Sequence, residues 1–351
     1  MKGIIAKELG APFELTDALE TPEPNADQLL VKSIYTAINP VDEIVRSTGI
    51  IAKSWPFVPG VDASGVVVKV GENAASKFKV GDYICGCTRV GTSGHGTCQE
   101  YFLMDAKVAI PKPKNVSLAE AATIGVGLET SAIGIFSHLN VEPLPLESVL
   151  NDKLPVIEGQ EWAVVLGGSS SLGKFAVQLL DSHGFKVIAS CSAKSAELVR
   201  HEGAQAVFNY KDPVEDQVKT VLGITKGHVH RVFDAAATGD AFAKALFKEV
   251  TDGPKFFSTS NTWSGITSWD DVTAGVVELA PVGSPEAEEG LNKPLAALIP
   301  VLVELFERKW LRPSLYDLVG ETGFDSCLKA FEYQKSGAGG AHKVVAKIQD
   351  E

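Results

Sequence analysis

The stretch Trp162 to Gly173, WAVVLGGSSSLG, decides the reading of this chain. Residues 162 to 166 make a short apolar strand and Gly167-Gly168 a sharp turn. Leu172, Phe175, Ala176, Leu179 and Leu180 then fall on one face of a helix that ends near Gly184. A diphosphate would sit on that helix's N-terminus, where free N–H groups and the helix dipole favour negative charge. The next strand, Lys186 to Ala189, runs into Ser190-Cys191-Ser192-Ala193-Lys194. Dinucleotide folds that take an unphosphorylated ribose place Asp or Glu there, to hold the 2'-hydroxyl; the same acid repels a 2'-phosphate. Hydroxyls and a lysine stand here instead, so Ser192 and Lys194 are expected to hold a 2'-phosphate, favouring NADPH over NADH. A glycine pair followed by serine is also an ordinary turn. What adds weight is the strand, helix and second strand at the required spacing.

The rest of the composition sets bounds. With 351 residues, 45% hydrophobic and 22% charged, the chain reads as globular and two-domain. No apolar run reaches a membrane span and the start, MKGIIAKELG, lacks a signal-peptide core, so a cytoplasmic protein is expected. A net charge of −12 argues against a nucleic-acid surface. The five cysteines do not read as a disulfide framework. Cys85, Cys87, His95 and Cys98 crowd together, but C-x-C followed by x10 is not the pair spacing of structural zinc. Cys85 and Cys87 read instead as small buried residues on one side of a strand, and no metal is expected.

The first third is rich in short strands and glycine turns. Gln28 to Ile38 leads to Asn39-Pro40-Val41-Asp42, and Val66 to Val70 leads to Gly71-Glu72-Asn73, as in a small, partly open barrel. From about Ser117, helices alternate with apolar strands at Trp162 to Leu166, Lys186 to Ala189, Ala206 to Asn209, Arg231 to Asp234 and Lys255 to Thr259, which implies a parallel sheet. A helix over Pro294 to Lys309, a second segment over Phe324 to Gln334 and a strand over Lys343 to Ile348 close the chain. Asn140 to Gly159 reads as an exposed insertion.

INPVD (Ile38 to Asp42), PFVPGVDASGVV (Pro56 to Val67), VGENAASKFKVGD (Val70 to Asp82), the Glu120 to Thr130 segment, GGSSSLG, CSAKS and the FNYKD around Tyr210 resemble the medium-chain dehydrogenase/reductase superfamily over nearly the whole chain. Within it, the chain is similar to zinc-independent quinone oxidoreductases and more so to fungal trans-acting enoyl reductases that serve polyketide synthases. The resemblance implies an α/β chain with a GroES-like partly open β-barrel domain, 1–128 and 284–351, and a doubly wound Rossmann domain, 129–283, with the substrate cleft between them. Zinc alcohol dehydrogenases carry a Cys ligand near the position of Asn39 and Gly-His-Glu where this chain has Gly60-Val61-Asp62. Asp62 reads as a structural turn carboxylate. Without a Lewis acid the implied chemistry is conjugate reduction, with hydride to the β-carbon of an activated C=C and a proton to the α-carbon. The protein would supply orientation and donors for the enolate oxygen.

By the same resemblance Gly167, Gly168, Ser169, Ser170, Ser171 and Leu172 cradle the diphosphate, and Ser192 and Lys194 take the 2'-phosphate. Tyr210 flanks the adenosine, Thr130 contacts the nicotinamide ribose or carboxamide, and Leu128 to Ser131 line the substrate cleft. That puts Thr130 and Ser131 forward as catalytic positioning residues; Phe257, Ser258, His342 and Lys343 are further cofactor candidates. Tyr210 could equally be a packed surface tyrosine, and Thr130 a helix hydroxyl bonded to its own backbone. Phe136, Trp263, Trp269 and Phe306 are candidates for a polyketide cleft or for the core. Relatives commonly carry a lysine two residues after the Asp of NPVD, where this chain has Ile44; Arg46 is the candidate replacement. Three activities follow: reduction of a carrier-protein-tethered enoyl chain with a polyketide synthase as partner, reduction of free quinones or enones, and binding without redox turnover. A monomer is favoured, with a dimer the alternative.

Overall fold

The strand at Trp162–Leu166 is buried along nearly its whole length, as expected of a parallel strand covered on both faces. It lies inside a six-stranded parallel sheet. The spatial order is Ala206–Asn209, Lys186–Cys191, Trp162–Leu166, Val229–Asp234, Lys255–Thr259 and Val272–Val276. Numbered along the chain this is 3-2-1-4-5-6, the doubly wound order, which reverses between Trp162–Leu166 and Val229–Asp234. Five of the six strands are those expected. The sixth, Val272–Val276, was not, because it is short, carries Gly275 and is mostly half-exposed at the sheet edge.

The computed structural model describes residues 1–153, 161–263, 269 and 271–351. These form two units, one of Met1–Glu129, Leu279–Ile299 and Arg312–Glu351, the other of Thr130–Glu278 with Pro300–Leu311. The helix Lys293–Glu307 therefore changes unit along its length. Residues 300–311, expected with the barrel, cluster with the parallel sheet because Phe306 packs edge-on against Phe175 at 6.2 Å. The expected insertion Asn140 to Gly159 is only partly as read. Val141, Leu144 and Val149 are buried, and Leu144 N–H donates to His183 Nε2 at 3.3 Å. Its last residues, 154–159, lie outside the described residues. Among the described residues no helix is long and apolar enough to cross a membrane.

In the first unit the eleven-residue strand Gln28–Ile38 is the organising element. It pairs antiparallel with Asp62–Val70 on one edge, and on the other with Tyr101–Asp105 and then Lys343–Lys347. Two register shifts, at Leu30/Val31 and Ser33/Tyr35, bend it as a barrel requires. Leu29, Val31, Val67, Phe78, Ile84, Phe102 and Met104 fill one core; Ile38, Phe324, Phe331, Val344 and Ile348 belong to another. The terminal helix is Phe324–Lys335.

The segment entering from residue 279 is fastened to this barrel by charge. Arg89 donates to both Asp105 oxygens, at 2.7 and 2.5 Å, and to the Gly283 carbonyl at 2.9 Å. Gln28 and His95 also face the same carboxylate. Burial alone would raise the Asp105 carboxyl; the His95 and Arg89 hydrogen bonds and their charges outweigh it and hold it below its ordinary value. A side chain at Gly283, where φ is 81°, would meet Asp105 Oδ2 at 2.2 Å. Arg89→Ala leaves this carboxylate buried without its main cation, so a loss of about 3 kcal/mol is expected in urea denaturation. Faster hydrogen exchange over 279–292 should accompany it, and a wild-type exchange pattern there would refute the fastening role. Because the native Asp105 value is depressed, its stabilisation is present above the ordinary carboxylate range and lost as pH falls through the native value.

Candidate active site

The glycine turn is shaped by the strand beside it. Gly167 has φ 76°, and its N–H donates to Ser190 Oγ at 2.8 Å, while the Gly168 N–H donates to the Ser190 carbonyl, also at 2.8 Å. A side chain at Gly168 would meet Ala189 Cβ at 2.8 Å, and one at Gly173 would meet the Gly167 carbonyl at 2.1 Å. Ser170 caps the helix Ser171–Ser182 by accepting from Gly173 N–H at 3.0 Å. Ser169, Ser170, Ser171 and Leu172 are half-buried at this terminus. The Ser171 hydroxyl is buried and has no hydrogen-bond partner, which fits a site shaped for an anionic group.

The strand Lys186–Cys191 ends without an acid. Ser192 Oγ lies 3.2 Å from Ser195 Oγ, and Lys194 is exposed. Asn209 is paired with Cys191, so Tyr210 and Ser192 leave the sheet as neighbours at its carboxyl edge. Tyr210 is exposed, with Lys211 Nζ 5.9 Å from its ring centroid.

Two residues that shape the turn were not among the sequence candidates. Ser190 binds both glycines, as above. Asp234, at the end of its strand, accepts from Ala236 N–H at 3.1 Å, Gly239 N–H at 2.8 Å and Thr259 Oγ at 2.9 Å, and the loop so fixed puts Ala236 against Gly167. The visible signal was an Asp at a strand end followed five residues later by Gly239.

Thr130 and Ser131 lie buried on the helix Gly125–Ile133, and Ser131 Oγ donates to the Leu172 carbonyl at 2.8 Å. Ser131 is thus tied to the start of the helix Ser171–Ser182. The other four cofactor candidates have side chains committed to the protein itself. Phe257 is in the core, stacked on Trp269 at 5.0 Å; Ser258 Oγ meets His138 Nδ1 at 3.1 Å; His342 Nδ1 meets Asp317 at 2.8 Å. Trp269 and Phe306 are likewise core residues, whereas Phe136 is half-buried beside His183 and Trp263 is exposed.

Lys343 points into the first unit. Its ammonium lies 2.9 Å from Asp62 Oδ2 and also donates to Asn39 Oδ1, while Asn39 Nδ2 donates to Asp62 Oδ2 at 3.0 Å. The other Asp62 oxygen accepts the Val126 N–H at 2.7 Å. Asp42 accepts from Gly60 N–H and Asn39 N–H, yet its carboxyl is pushed up to about 6, chiefly by burial. Burial raises the Cys85, Cys87 and Cys98 thiols, and His95 faces Asp105. No group of three or more His, Cys, Asp or Glu among the described residues is placed to hold a metal ion.

Two domain families match the chain: the alcohol dehydrogenase GroES-like domain over residues 25–114, and the zinc-binding dehydrogenase domain over 171–251. A dehydrogenase of Monascus ruber is 28% identical over 96% of both chains. A trans-enoyl reductase of Aspergillus terreus is 33% identical over 66% of this chain and 80% of its own. The chain belongs to the medium-chain dehydrogenase/reductase superfamily. Among solved structures, an alcohol dehydrogenase superfamily protein from Novosphingobium aromaticivorans shares the fold, with TM-score 0.78 and 22% identity over 99% of this chain and 100% of its own. Against other trans-enoyl reductases the matched stretch spans less of the relative, 65% in Penicillium citrinum and 57% in Pyricularia oryzae.

As a medium-chain dehydrogenase/reductase this chain is an oxidoreductase of a nicotinamide-using family. Arg46, the candidate replacement for the missing lysine, is already engaged. Arg46 Nε and Nη2 clasp Glu43, its Nη1 donates to the Gly10 and Ala11 carbonyls, and its guanidinium lies 5.8 Å from the Phe13 ring centroid. Every donor edge of Arg46 serves its own unit.

Proposed function

We propose that this chain is an NADPH-dependent enoyl reductase that acts in trans on an enoyl chain tethered to a carrier protein of a polyketide synthase. The observation that carries the cofactor preference is the end of the strand Lys186–Cys191, where Ser192 and exposed Lys194 stand in place of a ribose-binding acid. NADPH would supply the hydride. The chain's own contributions are the Ser190-braced turn and the Ser171 to Leu172 helix start for the diphosphate, Ser192 and Lys194 for the 2'-phosphate, and Thr130 for the nicotinamide end. Ser131 holds Thr130's helix on Leu172. Chemistry without zinc is supported by the Lys343 ammonium, which already fills the space between Asn39 and Asp62. The carrier-bound substrate and the synthase partner are supported by trans-enoyl reductase relatives, and the JamJ enoyl reductase shares the fold at TM-score 0.75 and 20% identity.

Titration of NADPH and NADH by nicotinamide fluorescence, then absorbance decay with an enoyl thioester, tests this reading. Lys194→Ala is expected to weaken NADPH binding about tenfold or more, the worth of one charged hydrogen bond, and to leave NADH binding alone. Equal losses for both cofactors would refute the assignment of Ser192 and Lys194. A free-standing reductase of quinones or small enones is the second reading. It is favoured by the match to the Monascus ruber dehydrogenase, which runs over 96% of both chains where the trans-enoyl reductases match in part. Turnover of a free enone at the rate of the thioester would select it.

A further inference from the structure

Glu129 is a buried acid that the reaction outlined above does not use. It is the middle residue of the helix Gly125–Ile133, fully buried, directly before Thr130. One oxygen accepts the Cys87 N–H at 2.9 Å, and Gly86, at φ 136°, lets the strand approach so closely that a side chain there would stand 3.0 Å from that oxygen. The other oxygen is buried with no partner. A carboxylate left with a bare, buried oxygen is costly; the acid form would hold an O–H there without an acceptor, but burying that one neutral donor costs far less than burying an unpaired charge.

The surroundings reinforce this. From the strand Tyr83–Cys87 it meets Cys85 and Cys87, both thiols; from the strand Asp62–Val70 it feels Asp62. Two lysines act on this cluster and both are engaged: Lys343 on Asp62 and Asn39, and Lys112, which acts on Cys85, on the Pro113 and Val116 carbonyls; Asp42 adds further negative charge near Cys87. Burial first, and Asp62 after it, raise the Glu129 carboxyl well above its ordinary value against the one opposing hydrogen bond from Cys87.

We propose that Glu129 is a positioning residue that works only as the uncharged acid, anchoring on Cys87 the helix turn that presents Thr130 to the nicotinamide. The proposal rests on the NADPH reading of Thr130. Ionisation would place a second carboxylate beside Asp62 with no cation free to meet it, and the turn would have to move to hydrate it.

The test compares the full-length protein with Glu129→Gln, which keeps the size and the acceptor but cannot ionise, between pH 5 and 9.5. Three quantities are read: NADPH affinity by fluorescence, kcat and KM with an enoyl thioester, and the melting temperature of the protein without cofactor. In the wild type the melting temperature, followed from pH 5 upward, should fall as pH rises towards the native value and level beyond it, while NADPH affinity should fall only above that value, by about tenfold for each unit. Glu129→Gln should keep both within about twofold and a degree or two over the same range. Glu129→Met, uncharged but unable to accept from Cys87, should also be flat with pH while binding NADPH more weakly at every pH. Melting temperatures that fall equally with pH in wild type and Glu129→Gln overturn the proposal, as does a wild-type melting profile that is flat from pH 5 upward. If neither substrate nor NADPH engages the protein, the reductase reading fails. The melting curves still decide whether Glu129 works as the uncharged acid.

Discussion

Asp62→Ala is expected to cost about 3–5 kcal/mol of stability, because it leaves the Lys343 ammonium, whose side chain is 5% exposed, without its ion-pair partner and with only Asn39 in hydrogen-bonding contact. The same substitution removes the acceptor for Val126 N–H at the start of the helix that carries Thr130, so cofactor binding should weaken with it. Urea denaturation of Asp62→Ala, Lys343→Met and the double variant separates the two effects. The double variant should recover much of the loss seen in either single one, since a missing pair is cheaper than an unpaired buried charge. Losses that simply add would show that the ion pair is not what holds this corner. In pH terms this corner has one further titrating member. The native Asp42 value of about 6 lies above the ordinary 3.8, so its contribution to stability is complete below the ordinary value, declines as pH rises between the two, and is level beyond.

Gly173→Val is expected to abolish measurable NADPH binding while costing about 3 kcal/mol of stability. Any β-carbon at this position overlaps the Gly167 carbonyl at 2.1 Å and comes within 2.8 Å of Gly168 Cα, and both are backbone atoms that cannot rotate away. Relief requires opening the turn, which breaks the Gly167 and Gly168 bonds to Ser190 and the cap from Ser170 together. Isothermal titration against NADPH, with circular dichroism to confirm a folded chain, measures both effects. Retained affinity would mean that the turn does not carry the diphosphate.

The parallel sheet was legible because its strands are short, apolar and bounded by glycine or polar turns, and because the 162–173 segment combines period-two and helical patterns at one junction. The edge strand Val272–Val276 was not, since an edge strand with a glycine and half-exposed side chains carries little periodic signal. The glycine turn and its serine cap could be placed from spacing alone because a sharp turn into a helix is a backbone geometry. The direction of Lys343 could not. Its partners Asn39 and Asp62 lie some three hundred positions away in the chain, and only the pairing of Lys343–Lys347 with Gln28–Ile38 brings them together. Phe257 and Ser258, expected at a strand end, lie in the middle and at the penultimate position of Lys255–Thr259, and which side of the sheet each side chain serves depends on Trp269 and His138, residues contributed by other elements.

All five cysteines of the chain are buried, and those at 85, 87, 98 and 191 have thiols shifted by burial away from the reactive thiolate. The native protein is therefore a quiet background for maleimide and other thiol-directed reagents. A single cysteine placed at an exposed position such as Tyr210 would be the fast-reacting thiol of the whole chain, and a fluorophore there would report on events at the carboxyl edge of the parallel sheet without first stripping the natural cysteines from the core.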